Sequence, residues 1–168
     1  YYDKENHPDP YVHCAKEQLS VGDWYFNGSG LDITFGNAEK GIFGGILIRG
    51  MMKFSESPYF ISGPSNVLKE IFSNIGNILF DEGGLSLMAL DQETIKRIEM
   101  EPVRSTRIGL TRKNDDHENF IDKNYRFLVD LSVEHKFKDK EKVIQQLLDK
   151  NEITLEKAKE ILGYNMKL

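Results

Sequence analysis

From residue 44 the chain runs Gly-Gly-Ile-Leu-Ile-Arg-Gly, and Ile46, Leu47 and Ile48 form an apolar run bounded by Gly44, Gly45 and Gly50. A β-favouring run of that length, too short for a helix, predicts a strand covered on both faces and placed centrally in a sheet. Upstream, residues 19–36 (LSVGDWYFNGSGLDITFG) hold a turn cluster of Asn27, Gly28, Ser29 and Gly30 between two strand-like pieces, which predicts a hairpin. In its second half Leu31, Ile33 and Phe35 alternate with Asp32 and Thr34. The alternation puts a carboxylate and a hydroxyl on one face, where water is the usual neighbour and a pocket the other option.

Downstream, Pro58 to Ser65 predicts a short strand and a Gly-Pro turn, and Val67, Leu68, Ile71, Phe72 and Ile75 then recur at helical spacing over 65–75. Gly76 and Asn77 are the expected stop. Residues 85–90 (LSLMAL) predict another strand, and Asp91 opens a short helix carrying Ile95 and Ile98 that Pro102 closes. A basic stretch at 103–113 (VRSTRIGLTRK) predicts an edge strand guarded by charge. An acidic loop follows, then a strand with Tyr125, Phe127 and Val129 on one face, and the core is expected to end near Val133. From Asp139 the pattern is helical, broken at Asn151, restarted with Thr154 as N-cap and stopped by Gly163. Val143, Leu147, Leu148, Ile153, Ala158, Ile161 and Leu162 give this pair an apolar face that folds back or docks on a partner.

At 168 residues the chain suits one domain with a small appendage, divided at residues 1–136 and 137–168. A net charge of −5 gives no overall attraction to a polyanion, so nucleic-acid binding needs a local basic face. That face is Arg104, Arg107, Arg112 and Lys113. No apolar run approaches the ~18 residues of a membrane span and no leader-like segment opens the chain, so an intracellular protein off the membrane is expected. The opening at Tyr1, without an initiator Met, predicts further residues upstream.

Arg49 is the leading candidate for chemistry. A guanidinium on an apolar strand is paired, reaches solvent along its stem, or faces a pocket that uses a fixed positive charge. The lone Cys14 excludes an intramolecular disulfide and reads as a buried bystander thiol. His7 and His13, with Asp3, Glu5 and Asp9, match no zinc spacing, so no metal or other cofactor is expected.

Four segments, in order, resemble the alkyladenine (3-methyladenine, methylpurine) DNA glycosylases: GGILIRG at 44–50, SGPSNVLKEI at 62–71, TRIGL at 106–110 and NYRFLV at 124–129. The resemblance covers about residues 20–130. It implies a mixed α/β (α+β) single domain on a curved antiparallel sheet with flanking helices, here with a C-terminal two-helix tail, acting as a monomer. It also implies base excision repair: a damaged purine is flipped out of duplex DNA into an aromatic pocket, and water cleaves its glycosidic bond without a covalent lysine intermediate.

Carried over residue by residue, Arg49 resembles the strand arginine beside the catalytic water, and Tyr25 the tyrosine that wedges into the DNA stack. His13 and Asp32 take the places of pocket residues, the family having an asparagine at the latter. Tyr1 or Tyr2 takes the tyrosine after the catalytic Thr-Glu pair, and Trp24 stands in for a second sandwiching ring. The general-base glutamate is implied just before Tyr1, outside this sequence. Two alternatives share the scaffold. One is a non-catalytic nucleic-acid-binding module using Trp24, Tyr25 and the basic stretch; the other is a small-molecule hydrolase that kept the pocket and lost the DNA face.

Overall fold

The structure, a computed structural model, describes residues 1–28, 30–54, 56–74, 88 and 102–164. It is a mixed α+β arrangement in which every paired strand is antiparallel and the sheets are open. The predicted hairpin forms β1 (Val21–Asn27) and β2 (Gly30–Phe35), turning at the Asn-Gly cluster. Next come β3 (Gly45–Leu47), β4 (Gly50–Lys53), β5 (Tyr59–Ser62) and α1 (Pro64–Asn74), close to the expected 65–75. After them lie β6 (Val103–Ser105), β7 (Arg126–Leu128), α2 (Lys140–Asp149) and α3 (Leu155–Leu162). The strand expected at 85–90, the helix from Asp91 and the stop at Gly76 and Asn77 lie outside the described residues.

The apolar run at 46–48 is not one central strand. It ends β3 at the edge of a three-stranded sheet ordered β1-β2-β3, with Ile46 58% exposed, and the chain then crosses at Ile48 and Arg49 into β4, which pairs only with β5 among the described residues. Backbone bonds fix the crossing: Ile48 N–H donates to the Leu31 carbonyl at 3.0 Å, and Gly63 N–H to the Arg49 carbonyl at 2.8 Å. A continuous apolar run carries no alternation, so it could not report this change of partner.

The expected strand over 103–113 is likewise only Val103–Ser105, because beyond it Arg107, Arg112 and Lys113 bind side chains and carbonyls of other segments. On β7 the expected apolar face, Tyr125, Phe127 and Val129, is the more exposed one, with Phe127 at 60%, while Arg126 and Leu128 are buried. Leu128 and Leu131 pack with Val143, Ile144, Leu147, Ala158 and Ile161 in one cluster. The C-terminal helices therefore fold back and share a core with β7. Their limits follow the sequence: the Thr154 hydroxyl accepts from Lys157 N–H at 3.2 Å, and Gly163 closes α3 in a left-handed conformation at φ 75°.

Candidate functional site

An open cleft of about 2090 Å3 runs between the N-terminal arm with β2–β3 and the segment from β7 to Lys138. Among its lining residues are Tyr1, His7, His13, Asp32, Arg49 and Arg126. Pockets for small molecules are typically ~300–1,000 Å3. This cleft is large enough for a nucleotide together with its strand context.

The wall on β2 is covered on both faces over most of its length, with Leu31 0% exposed on the apolar one. Asp32 and Thr34 are 5% and 1% exposed, whereas Phe35 on the other face is 40% exposed. The polar face thus meets protein and the cleft rather than bulk water. Asp32 Oδ1 accepts from Asn27 Nδ2 at 2.7 Å. Burial pushes the Asp32 carboxyl above its ordinary value, against the Asn27 hydrogen bond and the nearby His13, which both favour the anion. Gly45 makes room for it: a Cβ there would lie 2.8 Å from Gln18 Nε2 and 2.9 Å from Asp32 Oδ2.

Two arginines also line the cleft. Arg49, at the crossing from β3 to β4, is half-buried, and burial alone depresses its proton affinity. Arg126 on β7 is 8% exposed; burial, then the positive charge of Arg49, act on it in the same direction, while Asp139 opposes them. Neither belongs to any of the seven ion pairs among the described residues. Arg126 Nη2 donates to the Lys138 carbonyl at 3.0 Å, and its guanidinium lies 5.2 Å from the Phe137 ring.

At the arm, Tyr1 stacks on His7 with centroids 4.1 Å apart and planes within 16°. Phe120 and Tyr125 pack on the same imidazole, and His7 Nε2 finds no hydrogen-bond partner among the described residues. Burial holds His7 below its ordinary proton affinity, so it presents a neutral ring.

The other sequence candidates separate from this cleft. Tyr2 packs edge-on against Phe43 and Trp24 opposes Ile33 on β1. Tyr25 opposes Asp32 in register yet does not line the cleft. Of the basic stretch, Arg107 lines the cleft but is bound to Asp9, with Nη1–Oδ2 at 3.0 Å and Nη2 donating to Oδ1 at 3.2 Å. Arg112 pairs with Asp122 at 2.7 Å, and Lys113 donates to the Pro10 carbonyl at 2.5 Å. Arg104 is exposed over the Phe127 ring. Of the stretch expected to face a phosphate backbone, Arg107 and Lys113 thus hold the arm, Arg112 is paired locally and Arg104 stays exposed. Cys14, expected buried, is exposed.

An uncharacterized protein of Acanthamoeba polyphaga mimivirus, L759, is 28% identical to this chain over 160 residues, covering 77% of this chain and 72% of the viral protein. No family model and no solved structure matches. The chemistry of the cleft therefore carries the functional reading. Among the described residues no helix is long and apolar enough to cross a membrane, and no cluster of three or more metal-ligating side chains occurs.

Sequence reasoning missed Arg126, His7 and His135. Arg126 sits between Tyr125 and Phe127, where alternation assigned the charge to the solvent side; its aromatic flanks were the available signal. His135 lies in a polar stretch, EHKFKDK, that offers no periodicity to read.

Proposed function

We propose that this protein is a monofunctional DNA glycosylase that hydrolyses the N-glycosidic bond of a flipped, alkylated purine of the 3-methyladenine type. One observation carries the reading: a single cleft joins a buried carboxylate, Asp32, an arginine without an ion-pair partner among the described residues, Arg49, and the stacked rings of Tyr1 and His7. A flat cationic base needs an aromatic face to stack on, and its cleavage needs an oriented water near a carboxylate.

The step balances simply. Water forms a bond to the sugar C1′, the C1′–N bond breaks, and its electron pair leaves on the purine, whose positive charge makes it a good leaving group. A carboxylate takes the water's proton and offsets the positive charge developing on the sugar ring. The family resemblance assigns that task to a glutamate before Tyr1. Asp32 is a second carboxylate on the same cleft, and its burial makes it a stronger base than an exposed aspartate. Arg49 orients the water or holds the nucleotide phosphate.

The test is release of free 3-methyladenine from methylated duplex DNA by the full-length protein. Arg49→Ala is expected to cut the rate at least ~100-fold, the range lost with one preorganised donor. No release by the unaltered protein overturns the reading.

A hydrolase of small nucleosides is the second reading, favoured by the Arg107–Asp9 and Arg112–Asp122 pairs, which leave few cations for a duplex. Nucleoside cleavage without salt-sensitive duplex binding would select it, because phosphate contacts make binding fall steeply with salt. The same pairs weigh against a binding module built on the basic stretch.

A further inference from the structure

Two features of the arginine wall are unused by the chemistry above. Arg126 is buried, lines the same cleft as Arg49, and feels the positive charge of Arg49 there. Like charges held together in a partly dry cleft repel, and an anion between them reverses the sign of the interaction. The Arg126 plane is fixed by the Lys138 carbonyl and the Phe137 ring, and it makes no other hydrogen bond among the described residues.

The second feature is His135, 8% exposed and lining the same cleft. Its ring stacks on Phe60 at 4.2 Å between centroids and 10° between planes. Nδ1 lies 2.6 Å from the Asp130 carbonyl, which can only accept, so Nδ1 carries the proton and Nε2 is left as an acceptor. Nε2 lies 3.9 Å from where a Cβ would stand on Gly50, beside the backbone that carries Arg49.

We propose that Arg49, Arg126 and His135 form a phosphate-binding subsite of the cleft. The two guanidinium groups donate to phosphate oxygens in the forked geometry that suits them. His135 Nε2 accepts from a P–OH, which the monoanion of a phosphate monoester has and an internal phosphodiester lacks. The subsite shares the cleft of the proposed glycosylase, and its test uses probes that contain no bond to be cleaved by it, so either reading can fail alone.

The full-length protein is titrated at low ionic strength with inorganic phosphate, with a deoxyribose 5-phosphate and with dimethyl phosphate, following the imidazole resonances of His135. Inorganic phosphate and the sugar phosphate are expected to shift those resonances saturably. Arg126→Met and Arg49→Met each weaken binding about tenfold or more, as loss of a charge-assisted hydrogen bond does. Arg112→Met, in the exposed pair, leaves it unchanged. Arg126→Lys keeps the charge at a buried position and loses the fork, so it reads the site even where the methionine variant folds poorly. Monoester binding with dimethyl phosphate much weaker supports the three-residue subsite; dimethyl phosphate binding as tightly as the monoesters overturns it by removing His135 from it. Absence of saturable binding by all three probes, or binding that survives both arginine substitutions, overturns the proposal.

Discussion

Arg107 and Arg126 are the same residue type on one cleft, the first partly buried and the second 8% exposed, with different partners. Arg107 grips Asp9 with both terminal nitrogens, donates to the Phe120 carbonyl at 3.0 Å, and lies against the rings of Tyr11 and Tyr125. Asp9 is fully buried and its Oδ1 also accepts from Tyr11 N–H at 3.0 Å. That knot ties the N-terminal arm to the segment after β6. Arg126, with Arg49 beside it, meets one carbonyl and no carboxylate partner among the described residues. Burial alone therefore does not distinguish a structural arginine from a ligand-binding one. The partner differs: Arg107 is matched by Asp9 within the fold, whereas Arg126 has no carboxylate partner among the described residues and so is the one proposed to meet a ligand.

The comparison is broken most easily at the knot. Arg107→Met strands the Asp9 carboxylate in a buried site, and a loss of about 3–5 kcal/mol is expected from urea unfolding. A loss below ~1 kcal/mol would mean that the pair does not hold the arm.

Asp32→Asn has the opposite sign. It removes a desolvated charge and leaves an amide oxygen for Asn27, so stability at neutral pH rises by about 1 kcal/mol while catalysis falls. Because the folded-state pKa of Asp32 is raised, the folded form holds its proton longer than the unfolded chain. Stability therefore drops as pH climbs from the unfolded value, ~3.9, through the higher folded value, and is flat above it with respect to this group. Thermal unfolding across that window should show the drop in the unaltered protein and a smaller one in the asparagine variant.

Arg49→Met sharpens the contrast with Arg107→Met. A half-buried guanidinium with no ion-pair partner among the described residues gives way to an apolar side chain of similar length, so the unfolding midpoint should stay level or rise, by less than ~1 kcal/mol. The smallest effect belongs to the exposed Arg112–Asp122 pair, whose side chains are 55% and 65% exposed. Arg112→Ala should leave the unfolding midpoint and catalysis unchanged.

Where local chemistry decides the structure, the sequence was readable. The Asn27–Gly30 turn, the Thr154 cap and the Gly163 stop each act within a few residues, and the apolar spacing of α1, α2 and α3 needed no knowledge of the partner. Pairing between distant segments was not readable. Nothing in Ile46–Ile48 reports that the run leaves one sheet for another; the alternation on β7 assigned its faces the wrong neighbours, and on β2 it left open whether water or a pocket met Asp32 and Thr34. On β2, Asn27 and Gly45 accommodate the Asp32 carboxylate from two other strands, and on β7, Lys138 and Phe137 receive Arg126 from a loop. Arg49 was visible because one charge in an apolar run is conspicuous; Arg126 and His135 were not, because their partners arrive through the fold.

The most direct test sets the two kinds of arginine side by side in one assay: free 3-methyladenine released from methylated duplex DNA by the full-length protein, by Arg49→Ala and by Arg112→Ala. The account predicts release by the unaltered protein, the same release by Arg112→Ala, and at least ~100-fold less by Arg49→Ala in a protein that unfolds at an unchanged or higher denaturant concentration. Equal release by the unaltered protein and a folded Arg49→Ala, or no release by any of the three, would contradict it.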